Sequence, residues 1–198
     1  MPPAPSRPAA PLFLLLVTLP LSVAAHQQGT IGSSALLNGL SHPISGLDHV
    51  LAMLAVGMWG ARLGMPAIWL LPVTFPLMMT LGGIAGMLGL PLPSVELGIG
   101  LSVVMLGGVI LAGLRAPLWI SMPLVGIFAV FHGYAHGVEM PGLSDPLAYS
   151  LGFVVATGLI HIAGITIGLV TRLPHGHTLL RLGGGLISAA GVYLLAQT

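Results

Sequence analysis

Two short runs of this chain combine imidazoles with carboxylates. They are Ser41-His42-Pro43-Ile44-Ser45-Gly46-Leu47-Asp48-His49 and Phe131-His132-Gly133-Tyr134-Ala135-His136-Gly137-Val138-Glu139. Imidazole and carboxylate without thiol suit borderline divalent metal ions. Cysteine is absent, so thiolate metal sites, disulfides and cysteine nucleophiles are all excluded. His132, His136 and Glu139 follow i, i+4, i+7 spacing and so share one helix face. In the first run Pro43 suits a first helical position, with His42 as the cap. About 700° of helical rotation then separates His42 from His49, which puts them on one face about two turns apart. Asp48, beside His49, is either a direct ligand or the acceptor that orients a ring nitrogen. Gly46 permits a close neighbour or an unwound segment.

A single histidine in an apolar helix is ordinarily a core residue satisfied by a backbone carbonyl. Two clusters, each with an acid, need more, because polar groups in hydrocarbon are costly and mark a function. The His132/His136 pair has the spacing by which zinc proteases hold a metal from one helix. The intervening Gly133-Tyr134-Ala135 does not supply their His-Glu-x-x-His pattern. His161 reads either as a pathway ligand or as a structural hydrogen-bonding residue. His175 and His177 fall in a loop and read as solvated, and Met53, one turn beyond His49, reads as packing.

The elements that carry these residues are membrane helices. The chain has 198 residues, 56% of them hydrophobic and 5% charged, against about 25% charged in soluble domains. A net charge of +1 without a basic patch argues against nucleic acid as a partner. Residues 1–25 resemble a signal peptide: Arg7, the apolar run Leu12 to Val17, the break at Pro20, and small residues at Val23-Ala24-Ala25. Cleavage there leaves His26 as the mature N-terminus. Spans of about 20 apolar residues then fall at 42–62, 66–89, 95–114, 117–138, 146–170 and 178–196, separated by glycine- and proline-rich breaks. The expected fold is all-α: a polytopic bundle of six transmembrane helices, residues 26–198, after a cleavable signal. Glycine-rich stretches such as Gly82-Gly83-Ile84-Ala85-Gly86 and Gly183-Gly184-Gly185 read as close helix packing or as an oligomer interface.

With the mature N-terminus outside, Arg62, Arg115, Arg172 and Arg181 all fall at cytoplasmic helix ends, as the positive-inside rule requires. The C-terminus is then outside as well. Both histidine clusters come to lie in the outer half of the membrane, at similar depth, although the topology rests only on the signal and the arginines. His161, about four turns into its helix, lies further inward.

The runs His42-Pro43-Ile44-Ser45-Gly46-Leu47-Asp48-His49 and His132-Gly133-Tyr134-Ala135-His136-Gly137-Val138-Glu139 resemble the signatures of the HupE/UreJ family. These are membrane proteins associated with hydrogenase and urease gene sets. The resemblance extends over nearly the whole chain, with both motifs in order and a histidine in the fifth helix. It implies a secondary nickel permease, some members being linked to cobalt, in the inner membrane of a bacterium. Carried over by position, it implies metal handling by His42, Asp48, His49, His132, His136 and Glu139. Residue chemistry alone says only "borderline divalent cation", and His161 is the candidate next station inward.

The expectation is therefore a transporter, not an enzyme. Ni²⁺ or Co²⁺ is its bound substrate, and no resident cofactor is expected. Partners compatible with it are the divalent ion, membrane lipid, a second copy of the chain and a cytoplasmic metallochaperone. Three rivals stand beside it: a channel for ammonia or urea, an intramembrane zinc-dependent hydrolase, and a metal-binding accessory or sensor that does not transport. No Walker-type nucleotide motif is present.

Overall fold

The computed structural model describes residues 35–139 and 145–197. The expected signal peptide and His26 lie outside them. Seven helices follow in order: α1 (Ala35–Ser45), α2 (Leu47–Leu63), α3 (Ala67–Met87), α4 (Val95–Ala112), α5 (Leu118–Glu139), α6 (Pro146–Gly168) and α7 (Gly176–Leu195), with a 3₁₀ turn at Leu169–Arg172 before α7. Five of these are long and apolar enough to cross a membrane, and the bent pair α1 and α2 makes a sixth span. From α3 onward the expected segments match the helices to within two residues at each end.

The first segment departs from its expectation. The helix expected over 42–62 is two helices, bent by 79° at Gly46. Pro43 lies inside α1, so His42 caps nothing; it occupies the last turn of α1, and the common-face argument for His42 and His49 does not apply. The chain turns because Gly46 is extended (φ −92°, ψ 113°). A side chain there would press on the Asp48 carboxylate, 2.9 Å from the position of its Cβ. Asp48 Oδ1 instead folds back to accept the His49 amide at 2.7 Å. That contact places a negative charge in the first turn of α2, where the helix dipole favours it.

α2 is the central helix, packed on α3, α4 and α6, and its run from Ala52 to Gly60 is almost wholly buried. Around it α3 pairs with α5, α4 with α7, and α1 with α6. The backbones approach closely. A Cβ on Gly133 would overlap the Met79 carbonyl, and one on Gly137 would overlap the Gly83 carbonyl. Gly57 and Gly164 do the same for α2 and α6. The outer surface carries exposed Leu77, Leu81, Leu151, Leu159 and Leu186, a lipid-facing composition. This is a multi-pass membrane protein.

Candidate metal site

The two motif clusters touch. The 79° bend swings α1 back over the end of α5, so that His42 Nε2 meets His136 Nδ1 at 2.9 Å and Glu139 Oε2 at 3.5 Å. The other nitrogen of the same ring, His136 Nε2, lies 3.3 Å from His49 Nδ1. His49 Nδ1 is in turn 3.0 Å from His132 Nδ1. His132 Nε2 reaches Ser102 Oγ on α4 at 2.8 Å, and Ser102 bonds the Ile99 carbonyl at 2.6 Å. Four imidazoles thus run in one connected line from three elements.

Exposure falls along that line. The Glu139 side chain is 64% exposed and that of His42 32%, whereas His49 and His132 keep 3% and 1%. The outer donors meet solvent and the inner ones do not. Phe153 packs against His42, His49 and His136 with ring centres 6.1, 5.6 and 4.8 Å away. Phe75 does the same for His49 and His132 from the other side, at 6.2 and 5.6 Å.

Hydrogen counting shows what this line lacks. An O···O contact of 2.6 Å needs a hydrogen, so Ser102 donates to Ile99 and accepts from His132 Nε2–H. With every imidazole neutral, His132 Nδ1 is then an acceptor and His49 Nδ1 carries the hydrogen between them. His136 Nε2 becomes an acceptor, and His136 Nδ1–H donates to His42 Nε2. His49 Nδ1 then has one hydrogen for two acceptors, His132 Nδ1 and His136 Nε2. His42 Nε2, its lone pair already accepting from His136, has no hydrogen to offer the Glu139 carboxylate. His49 Nε2 is buried with no partner among the described residues. An added positive charge, proton or metal ion, is what the arrangement calls for.

The spacing suits a metal. Nitrogens about 2.1 Å from one ion lie about 3.0–3.4 Å from each other in octahedral or tetrahedral geometry, close to the 3.0 and 3.3 Å separations that meet at His49 Nδ1. Among the described residues, the group whose donor atoms come together as a set that could hold an ion is His42, His136 and Glu139, all within 4.8 Å of one another. His136 joins that set to the inner rings, since its Nε2 meets His49 Nδ1.

Known proteins match a span of the chain that includes both histidine runs. The family model described as "HupE / UreJ protein" matches residues 14–194. The chain belongs to the HupE/UreJ family. Protein HupE of Rhizobium leguminosarum bv. viciae is 40% identical over 180 residues, 91% of this chain and 94% of that protein. No solved structure matches this chain.

Of the motif residues of this HupE/UreJ chain, His42, His49, His132, His136 and Glu139 are brought together. Asp48 lies beside them: its carboxylate accepts from the His49 amide, and its charge acts on His132. His161 is buried on α6 behind Phe75, whose ring centre is 5.5 Å away. Neither His161 nitrogen makes a well-formed hydrogen bond among the described residues, though the ring interacts with the backbone of Thr157, one turn back. His175 and His177 are exposed, at the opposite end of the bundle.

Sequence reasoning missed Ser102. The available signal was a hydroxyl in the middle of α4, whose other residues beyond Glu96 are apolar, at a fully buried position. A partner that fixes the tautomer of a metal-binding histidine is worth 10–100-fold in affinity as an order of magnitude, roughly. Ser102→Ala is therefore expected to weaken Ni²⁺ binding by about that factor, with Ser102→Thr less affected, as measured by equilibrium dialysis of the purified protein. Unchanged affinity in Ser102→Ala would show that His132 needs no such partner.

Proposed function

We propose that this HupE/UreJ protein is a secondary permease that carries Ni²⁺, with Co²⁺ as the closest competitor, across the bacterial inner membrane into the cytoplasm. The ion supplies metalloenzyme assembly such as that of hydrogenase or urease. The observation that carries this reading is the continuous line of imidazoles from the exposed Glu139–His42 pair to buried His132. The hydrated ion first meets Glu139, His42 and His136, which replace part of its water shell. It then passes to the rings around His49, with His136 turning from the outer set to them by its second nitrogen. His161 is the next station inward, reached past the Phe75 ring. Such partial ligation holds the ion loosely enough for release, which a single closed cage would not. A ring hydrogen on a ligating nitrogen moves to the other nitrogen of the same ring when the metal loads, and any imidazole that carries a second proton releases it. Asp48 supports the path by anchoring the start of α2.

In this reading the cluster end faces outward and the arginine-bearing end faces the cytoplasm, after removal of residues 1–25. The test is uptake by purified protein in vesicles, with Ni²⁺, Co²⁺ and Zn²⁺ supplied separately and a pH gradient varied. Saturable Ni²⁺ entry, competed by Co²⁺ and accompanied by proton movement, is expected. Binding without flux would assign the protein to metal storage or sensing, and metal-independent passage of ammonia or urea would make it a neutral-molecule channel.

A further inference from the structure

At the end of the bundle opposite the histidines, the four arginines of the described residues face no acid. Asp48 and Glu96 open α2 and α4, Glu139 closes α5 and Asp145 caps α6, all at the histidine end. Arg62, Arg115, Arg172 and Arg181 lie at the other end of the same antiparallel helices. A cavity of about 490 Å³ opens there between the α2–α3 and α4–α5 connections, lined by Arg62, Met65, Pro66, Arg115, Pro117 and Leu118 among others.

The arginines are only partly used. Arg62 Nη2 donates to the Gly113 carbonyl at 2.7 Å, and Arg181 Nε donates to that of Leu111 at 2.7 Å. These bonds satisfy carbonyls at the C-terminal end of α4, where cations also suit the helix dipole. The remaining Arg62 nitrogens, Nε and Nη1, are shielded from water and have no partner among the described residues. Shielded donors of this kind ordinarily have an acceptor, and here the acidic side chains of the described residues all lie at the other end of the bundle. A guanidinium fork matches the oxygens of a phosphate or carboxylate, and Arg115 supplies a second cation on the same cavity wall.

We propose that this cavity binds a phosphate group, with its oxygens set against Arg62 and Arg115. Two sources carry that chemistry. Exposed Trp69 and Trp119, in the first turns of α3 and α5, mark the depth of the membrane interface. An anionic phospholipid presents its headgroup phosphate at that depth, and basic pockets between membrane helices take such headgroups. Free inorganic phosphate offers the same oxygens from solution.

The experiment is thermal unfolding of the delipidated full chain in detergent. Phosphatidylglycerol in mixed micelles forms one arm, with phosphatidylcholine as its zwitterionic control. Inorganic phosphate forms the other, with chloride at equal ionic strength as its control. A ligand near a hundredfold excess over its dissociation constant should raise the midpoint by about 5–11 °C. A rise with phosphatidylglycerol alone identifies a lipid site, and a rise with inorganic phosphate alone identifies a soluble-anion site. Either rise should be lost in Arg115→Gln and largely kept in Arg115→Lys. Arg115 is exposed and lies in a connection, so its substitution leaves the helix packing intact even if Arg62→Gln fails to fold. No rise above the controls in either arm, or an equal rise in Arg115→Gln and Arg62→Gln, would overturn the proposal.

Discussion

His49→Ala is expected to lower Ni²⁺ uptake to the level of protein-free vesicles, while the variant inserts and unfolds like the wild type. His49 carries the line inward from the outer donors: its Nδ1 contacts both His132 and His136. It also sits on the central helix, so no neighbouring imidazole can swing into its place. Losing an outer partner of a metal ligand costs 10–100-fold, roughly, and losing a ligand shared by two contacts should exceed that. Stability should respond much less. His49 Nε2 has no partner among the described residues, so removing the ring relieves an unmatched buried lone pair, while it takes the His49 contact from His132 Nδ1 and leaves a cavity beside Phe75 and Phe153. These effects oppose each other, unlike a Leu→Ala change in an apolar core, which costs about 2–5 kcal/mol. His136→Ala should behave in the same way, because it cuts the line between the exposed and buried donors. Radioactive Ni²⁺ flux and a thermal melt, measured on the same preparations, separate the two quantities. Wild-type flux in both variants would remove the imidazole line from the transport path.

The sequence carried most of this architecture because membrane spans write themselves in long apolar runs. Helices α3 to α7 were legible from their length and their breakers. The α1–α2 bend was not. Residues 35–41, Ala-Leu-Leu-Asn-Gly-Leu-Ser, are too few and too interrupted to register as a span, and α1 at 11 residues is about 16 Å long, half a membrane. Pro43 therefore read as the start of a helix when it lies inside one. The composition of the site was legible because histidines and acids stand out in an apolar background. Its connectivity was not, since contact between His42 and His136 depends on a bend at Gly46 that any extended-tolerant residue pattern leaves open. Ser102 lies 30 residues from His132, and no periodicity links the two. Asp48 shows the converse: it belongs to the motif, yet its carboxylate is engaged by the helix it begins.

Gly133→Val should abolish folding and uptake together, in contrast to the histidine variants. Gly82 and Gly86 on α3, and Gly133 and Gly137 on α5, repeat at four-residue spacing and bring the two backbones into contact. Such small-residue faces drive helix association in lipid, where packing replaces the hydrophobic effect. At Gly133 the obstacle is the Met79 carbonyl and Cα, not the end of a flexible side chain, so nothing can rotate aside. Ordinary overpacking costs about 1–3 kcal/mol, and forcing two backbones apart should lie at or above the top of that range. The displacement would also carry His132 and His136, on either side of Gly133, away from His49, whose position is fixed by α2. Gly158→Ala is the matched control: it is also a helical glycine, but its Cβ meets nothing within 4 Å. That variant should express, melt and transport as the wild type does. Near-wild-type yield and melting of Gly133→Val would mean that α5 can shift without loss, and the 3.0 and 3.3 Å imidazole spacings would then not be held by α3 packing. If instead yield collapses in Gly133→Val and survives in His49→Ala, the glycines of the second motif hold the helix and its histidines do the chemistry.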